Sequence, residues 1–231
     1  MTTNLKKAIN ITIIPARGGS KRLPGKNMLP LGGKPLIVHS INYAKANTHI
    51  SDRIIVSTDD PFIKDVAKSQ GVEVIERPAH LSDDNATTVS ALKDVLENIQ
   101  EEVENVLLLQ PTNPLRPQRL MSEAFKEFED RNCDSLMTVT RSFQKFGKIE
   151  NNRFLPFNYQ PGQRSQDLYP LYYENGLLYI TKASLILNEK ILGKNNFPFI
   201  VDHPFAEVDI DFKKDLEYAE FLLERRKKKS E

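Results

Sequence analysis

The chain has 231 residues and a mass of 26.4 kDa, enough for one large domain or one domain with a sizeable insertion. Apolar residues make up 39% and charged residues 27%, which excludes a disordered or fibrous protein. The net charge of +1 conceals an asymmetry: no acid precedes Asp52, so residues 1–51 carry +8 and the remainder −7. A basic third on a near-neutral protein suits a local anionic ligand and argues against a nucleic-acid surface.

Apolar runs such as residues 106–109 are too short to cross a bilayer, so no membrane partner is expected. Residues 1–10 contain lysines but no apolar stretch before a small-residue cleavage site, so a cytoplasmic location is expected. A single cysteine, Cys133, allows no intrachain disulfide and fits a reducing compartment. It reads as a small buried thiol and not as a nucleophile, since nothing nearby in sequence supplies a base. His39, His49, His80 and His203 show no metal-ligand spacing.

Strands and helices alternate along the chain. Residues 9–15 are rich in β-branched side chains and predict a first strand. A Gly-, Pro- and Lys-rich loop follows at 16–34, then a helix over 35–46 with Pro35 in its first turn. A second strand is expected at 53–57. Asp60 then caps a helix that has Pro61 at its first position. Residues 72–75 predict a third strand.

Val89, Leu92, Val95, Leu96 and Ile99 are spaced as one face of a helix over 86–99. Residues 105–109 form an apolar strand suited to burial on both faces. Helices are expected around 120–128 and 216–223, with a strand at 135–140. The pattern predicts an α/β, Rossmann-like, mostly parallel sheet in a single domain spanning 1–231. Residues 141–171 break the rhythm. Polar, aromatic and without periodicity, they are either a mobile surface loop or an excursion that contacts a second subunit.

Strand one runs into Pro15-Ala16-Arg17-Gly18-Gly19-Ser20-Lys21-Arg22-Leu23-Pro24-Gly25-Lys26-Asn27. Ligands of open α/β sheets bind at the carboxyl ends of strands. Gly18 and Gly19 let backbone N–H groups approach an anion. Arg17, Lys21, Arg22 and Lys26 add four cations within ten residues and no acid. Triphosphate binding needs this combination of donors and charge. The spacing is neither that of the ATPase P-loop nor G-x-G-x-x-G.

This loop resembles the nucleotide-binding signature of the CMP-sugar synthetases, in particular the acylneuraminate (nonulosonate) cytidylyltransferases. Further similarities follow in order: Arg77-Pro78 with Leu81-Ser82-Asp83, then Leu108-Leu109-Gln110-Pro111-Thr112-Asn113-Pro114-Leu115-Arg116. Gln166-Asp167, Tyr173-Glu174-Asn175-Gly176 and Asp209-Ile210-Asp211 complete the set, which spans residues 9–223. The resemblance implies a nucleotidyltransferase fold, CTP and an acidic 2-keto sugar of nine carbons as substrates, Mg²⁺ as cofactor, and a homodimer joined through 141–171. An eight-carbon acid sugar and a nucleotide-binding module without catalysis are the alternatives.

The resemblance also implies roles. Arg17, Gly18, Gly19, Ser20, Lys21, Lys26 and Asn27 would hold the nucleotide, with Arg77 and Thr88 near the base. Thr88 is equally readable as a helix N-terminal residue. Gln110, Lys145, Arg164, Gln166 and Asn175 would contact the sugar; a cation such as Arg164 suits its carboxylate. Arg116 either binds an anion or braces its loop, and bracing is the reading preferred. Asp209 and Asp211, two apart in what reads as a strand end, would share one face and hold Mg²⁺. Asp211 could also cap the last helix. Arg17, Lys21 and Asp211 are the expected catalytic residues. The basic run at 225–229 is expected to complement a helix C-terminus.

Overall fold

A computed structural model describes residues 8–230, with side chains through Arg226. The basic side chains expected at 227–229 therefore lie outside the described residues, as do Lys6 and Lys7. In chain order the elements are β1 (Ile9–Pro15), β2 (Pro30–Leu31), β3 (Lys34–Pro35), α1 (Leu36–Lys45), β4 (Arg53–Thr58) and α2 (Pro61–Ser69). Next come β5 (Glu73–Glu76), α3 (Thr88–Glu97), β6 (Val103–Leu108), α4 (Leu120–Asp130) and β7 (Ser135–Ser142). The remainder is β8 (Gly147–Glu150), β9 (Arg153–Pro156), β10 (Leu171–Lys182), α5 (Ala183–Leu187), β11 (Asn196–Ile200) and α6 (Lys213–Ser230).

Seven strands form one sheet in the order β11-β7-β10-β6-β1-β4-β5. The pairs β6–β1, β1–β4, β4–β5 and β11–β7 are parallel, whereas β10 runs antiparallel to both neighbours. Side chains alternate across β1, so Ile14 packs on one face with Ile37, Ile41, Ile63 and Phe125, from α1, α2 and α4. Ile11 and Ile13 pack on the other with Leu92, Val95 and Ile186, from α3 and α5. The two layers explain why the second half of β6, from Val106 into Leu109, is apolar without alternation. Asp60 caps α2 as expected, accepting hydrogen bonds from the N–H groups of Phe62 and Ile63.

The sequence pattern supplied no strand for β10, the longest of the set at 12 residues. Its first half is the polar Tyr173-Glu174-Asn175-Gly176 run, and its register shifts between Glu174 and Tyr179. Gly176 sits at that irregularity with φ +72°, and a Cβ there would lie 2.5 Å from Asn113 Oδ1. A bulge that only glycine accommodates conceals the strand's period.

Within 141–171, β8 and β9 pair only with each other, as a hairpin apart from the main sheet. The Asn158 side chain ties its base together. It accepts from Phe146 N–H at 2.7 Å and donates to the Gln144 carbonyl at 2.9 Å.

Beyond β6, Arg116 is buried at 4% exposure and fans three ways. It donates to the carbonyls of Leu177 (2.6 Å) and Gln110 (2.9 Å) and to Ser40 Oγ (3.1 Å), and it stacks over the Tyr43 ring. It therefore joins α1, β10 and the loop after β6. Burial pushes the guanidinium down to about 10, still charged at neutral pH. Arg116→Ala would strip two carbonyls of a charged donor. It should lower unfolding free energy by about 3 kcal/mol or more, read as a reduced urea midpoint at unchanged slope.

Candidate active site

The carboxyl ends of β1, β5 and β6 open onto a cavity of about 300 Å³. Its lining includes Arg17, Gly19, Ser20, Lys26 and Asn27 from the loop after β1, Arg77 after β5, Thr87 and Thr88 at the start of α3, and Gln110 and Thr112 after β6. After β1 the chain crosses to β4 and β5 on one side and returns to β6 on the other. The cavity therefore lies at the point where strand order reverses, the expected ligand position in such sheets.

The loop after β1 is shaped from within. Asn27, itself buried, donates to the Arg17 carbonyl at 2.9 Å and folds the loop back on itself. Gly18 N–H is engaged by Asp59 Oδ1 at 2.9 Å, so it faces a carboxylate and does not line the cavity. A Cβ at Gly18 would fall 2.6 Å from Asp60 Oδ2, whereas one at Gly19 would meet nothing within 4 Å. Close packing therefore explains the first glycine and access to the cavity the second.

Every cation of the loop faces an acid. Lys21 pairs with Asp84, and Arg17 lies 3.5 Å from the same carboxylate while donating to the Asp83 carbonyl at 2.7 Å. Arg22 pairs with Asp211, and Lys26 reaches the other oxygen of Asp211 at 2.9 Å. Lys21 is thereby drawn to the rim and does not line the cavity. Lys21 beside it holds the Asp84 carboxyl below the ordinary range.

Asp209 and Asp211 do not sit on a strand, contrary to the sequence reading. They occupy a loop between the short turn Pro204–Glu207 and α6. Among the described residues no strand pairs with this loop, which is held by Ile210 N–H on the Thr112 carbonyl at 2.8 Å. Asp211 does not cap α6 with its side chain. Asp215 reaches back instead, accepting from the N–H groups of Asp211 and Phe212. Desolvation pushes the Asp209 carboxyl up. A hydrogen bond from Thr112 opposes this, the charge of Asp211 adds to it, and Lys26 opposes it. The two carboxylates and Lys26 thus sense one another at the cavity edge.

Asn113 fixes this edge, donating to the carbonyls of Asn175 (3.0 Å) and Val208 (2.9 Å). Arg77 is buried, donating to the Ser57 hydroxyl and carbonyl, and burial lowers its pKa. Thr87 is the N-cap of α3 and Thr88 its first residue. Thr88 thus has the helix N-terminal position that is one reading of it, and it also lines the cavity. Arg116 braces its loop, as preferred.

Four residues expected to contact the sugar lie away from this cavity. Asn175 is buried, and its amide accepts from Thr138 Oγ1 and donates to Thr140 Oγ1, which leaves it a scaffold of β10. Lys145 donates to the Gln163 carbonyl, Arg164 pairs with Asp167 at 2.7 Å, and Gln166 is exposed; all three belong to the excursion. Asp84 and Thr87 were missed. The Leu81-Ser82-Asp83 motif stops one residue short of Asp84, and an acid 63 and 67 positions away from its cations gives no pattern to detect.

A larger cleft of about 460 Å³ lies on the other side of Arg116, between Pro117, Phe205 and α6. It lacks the basic loop, so the smaller cavity, lined by Arg17, Gly19, Ser20 and Lys26, is the one equipped for phosphate chemistry.

A cytidylyltransferase family model matches residues 11–230. The chain belongs to that family. N-acylneuraminate cytidylyltransferase of Streptococcus agalactiae serotype V is 37% identical over 186 residues, covering 78% of this chain and 45% of that protein. The chain thus spans about half the length of that relative. Pseudaminic acid cytidylyltransferase of Campylobacter jejuni is 35% identical, with coverage of 92% and 95%. CMP-N,N'-diacetyllegionaminic acid synthase of Legionella pneumophila is 33% identical, with coverage of 93% and 96%. Among solved structures, a CMP:2-keto-3-deoxy-manno-octonic acid synthetase complexed with CTP superposes with a TM-score of 0.70 at 19% identity, covering 95% of this chain and all of that one. That likeness concerns the cytidylyltransferase fold alone.

Gly18→Ala should lower the melting temperature by several degrees, equivalent to about 1–3 kcal/mol, because the new methyl meets the capping carboxylate of α2. Gly19→Ala should leave it unchanged. Equal melting of the two variants by calorimetry would refute the division of roles.

Proposed function

We propose that the protein transfers CMP from CTP to a nine-carbon 2-keto acid sugar and releases pyrophosphate. The observation that carries this reading is the meeting, at one strand-end cavity, of the basic loop and Gln110, with Asp211 paired to Lys26 of its lining and Asp209 hydrogen-bonded to Thr112. The names of the relatives, all of them CMP transfer to acid sugars of this class, support the substrate. The eight-carbon acid has only a fold likeness behind it.

In this reading Arg17, Lys21 and Lys26 take the β- and γ-phosphates, and Thr88 and the wall at Arg77 face the base. The anomeric 2-hydroxyl oxygen of the sugar attacks the α-phosphorus. A new P–O bond forms as the bond from the α-phosphorus to the bridging oxygen of the β-phosphate breaks, the hydroxyl proton passes to water, and pyrophosphate leaves. Negative charge grows on the leaving group, and cations already in place stabilise that change more than the ground state. Gln110 both donates and accepts, which suits sugar hydroxyls. Chemistry of this kind relies on positioning and charge and needs no covalent intermediate.

Asp209 and Asp211 fit a magnesium ion. They are coupled carboxylates at the cavity edge, and no group of three or more His, Cys, Asp or Glu able to hold a metal occurs among the described residues. Two carboxylates leave further coordination to phosphate oxygens and water, the usual arrangement for Mg²⁺. Bound there, the ion would neutralise phosphate charge. Asp211 would then release Arg22 and Lys26.

A homodimer completes the reading. The excursion exposes Phe143, Ile149, Phe154, Phe157 and Tyr169, Ile149 at 77% and Tyr169 at 74%. Such a patch marks an interaction surface. Because Lys145, Arg164 and Gln166 lie on that excursion and outside the cavity of their own chain, a second copy gives them a site to serve. The lone cysteine, which fits a reducing compartment, supports a cytoplasmic reaction. No helix among the described residues is long and apolar enough to cross a membrane.

Pyrophosphate release from CTP and Mg²⁺ should be seen with one member of a panel containing N-acetylneuraminate, legionaminate, pseudaminate and the eight-carbon acid. Release with the eight-carbon acid alone would replace the substrate; CTP binding with no release across the panel would replace the activity. Asp211→Ala should lower turnover by a factor of about 10² or more, with an unchanged circular dichroism spectrum. Near-normal turnover at saturating Mg²⁺ would remove the metal role.

Paired substitution of Ile149 and Phe154 by Lys should convert the sedimenting species from dimer to monomer and cut turnover with it. A fully active wild-type monomer at assay concentration would refute the shared site.

A further inference from the structure

The loop after β1 holds four cations, and the acids that neutralise them come from two different places. Arg22 and Lys26 face Asp211, which belongs to the carboxylate pair already described. Arg17 and Lys21 face Asp84, which belongs to the segment between β5 and α3. Asp84 has no hydrogen-bonding role inside its own segment among the contacts of the structure. Its neighbour Asp83 does that work instead, accepting from the N–H groups of Asn85 and Ala86. The Asp83 carbonyl adds a second tie to Arg17. The segment so held carries Leu81, Ala86 and Thr87 of the cavity wall.

We propose that Asp84 is a displaceable counter-ion that occupies the phosphate-binding cations until the triphosphate arrives. An incoming phosphate competes for Arg17 and Lys21 with a single carboxylate on a tether. Binding must therefore break the Asp84 contacts and draw Arg17 off the Asp83 carbonyl, which together loosen the segment 82–87 from the loop after β1. When pyrophosphate departs, Asp84 recaptures the two cations and opposes rebinding. The pairs are solvent-exposed, so each is weak and readily exchanged, as a release device requires. The inference rests on the reading that the basic loop holds the phosphates.

The test is titration calorimetry with inorganic pyrophosphate on the wild-type protein, Asp84→Asn and Asp84→Glu. Asp84→Asn should bind pyrophosphate roughly three- to tenfold more tightly, and Asp84→Glu should return to the wild-type value. Asp84 is exposed, so neither change threatens the fold. Pyrophosphate has no base and no sugar, so the outcome stands even if the transferred nucleotide is not cytidylate. Amide exchange over residues 82–87 should accelerate in the wild type when pyrophosphate binds, and should already be fast in Asp84→Asn without it. Affinity in Asp84→Asn equal to or weaker than wild type would overturn the proposal. So would Asp84→Glu behaving like Asp84→Asn, exchange that is insensitive to pyrophosphate, or no pyrophosphate binding by any of the three. A matching gain in affinity for cytidine, which has no phosphate, would also overturn it, since Asp84 would then act by shaping the base wall.

Discussion

Arg116 is a buried cation with no carboxylate in ion-pair reach among the described residues, and the site depends on how it is satisfied. Its charge is met by the carbonyls of Gln110 and Leu177, the Ser40 hydroxyl and the face of Tyr43. A guanidinium can serve several acceptors in one plane, which a lysine cannot. The carbonyl of Gln110 is thus pinned while its side chain remains at the cavity. Asn113, three residues earlier, pins the carbonyls of Asn175 and Val208 in the same manner. Between them these two polar side chains bring β6, the bulge of β10 and the Asp209–Asp211 loop to one edge.

The same edge is where the charge of the basic loop is resolved. Lys26 is held by Asp211 with a side chain largely out of solvent, while Lys21 and its partner Asp84 are open to water. Screening weakens the second contact far more than the first. The loop therefore has a firm inner end and a loosely held outer end. That gradient suits a ligand that enters from solvent with phosphates and must later leave with two of them.

Much of this was legible in the sequence for a simple reason. The parallel half of the sheet and its helices repeat local periods, and the loop after β1 concentrates its chemistry in consecutive residues. Gln110, Lys26 and Thr88 are named through the resemblance of their motifs to the CMP-sugar synthetases, and all three line the cavity. What stayed hidden depends on long-range partners. Asn175 looked like a substrate contact, yet its amide is consumed by Thr138 and Thr140 of β7, 37 and 35 residues away. The strand character of β10 disappears behind a glycine bulge whose reason is Asn113. Asp84 neutralises cations 63 and 67 positions earlier, a relation that no local pattern encodes.

The placement of the excursion residues follows from the same logic. A hairpin that pairs only with itself and exposes a row of aromatic side chains has little to gain as an isolated arm, since each exposed ring leaves apolar surface in water. Its cations, Lys145 and Arg164, are meanwhile held by weak local partners, a backbone carbonyl and the nearby Asp167. Both features are resolved together if the arm lies against another copy of the chain. The rings would then be covered, and the cations would stand beside a cavity whose own chain provides the nucleotide loop and Gln110.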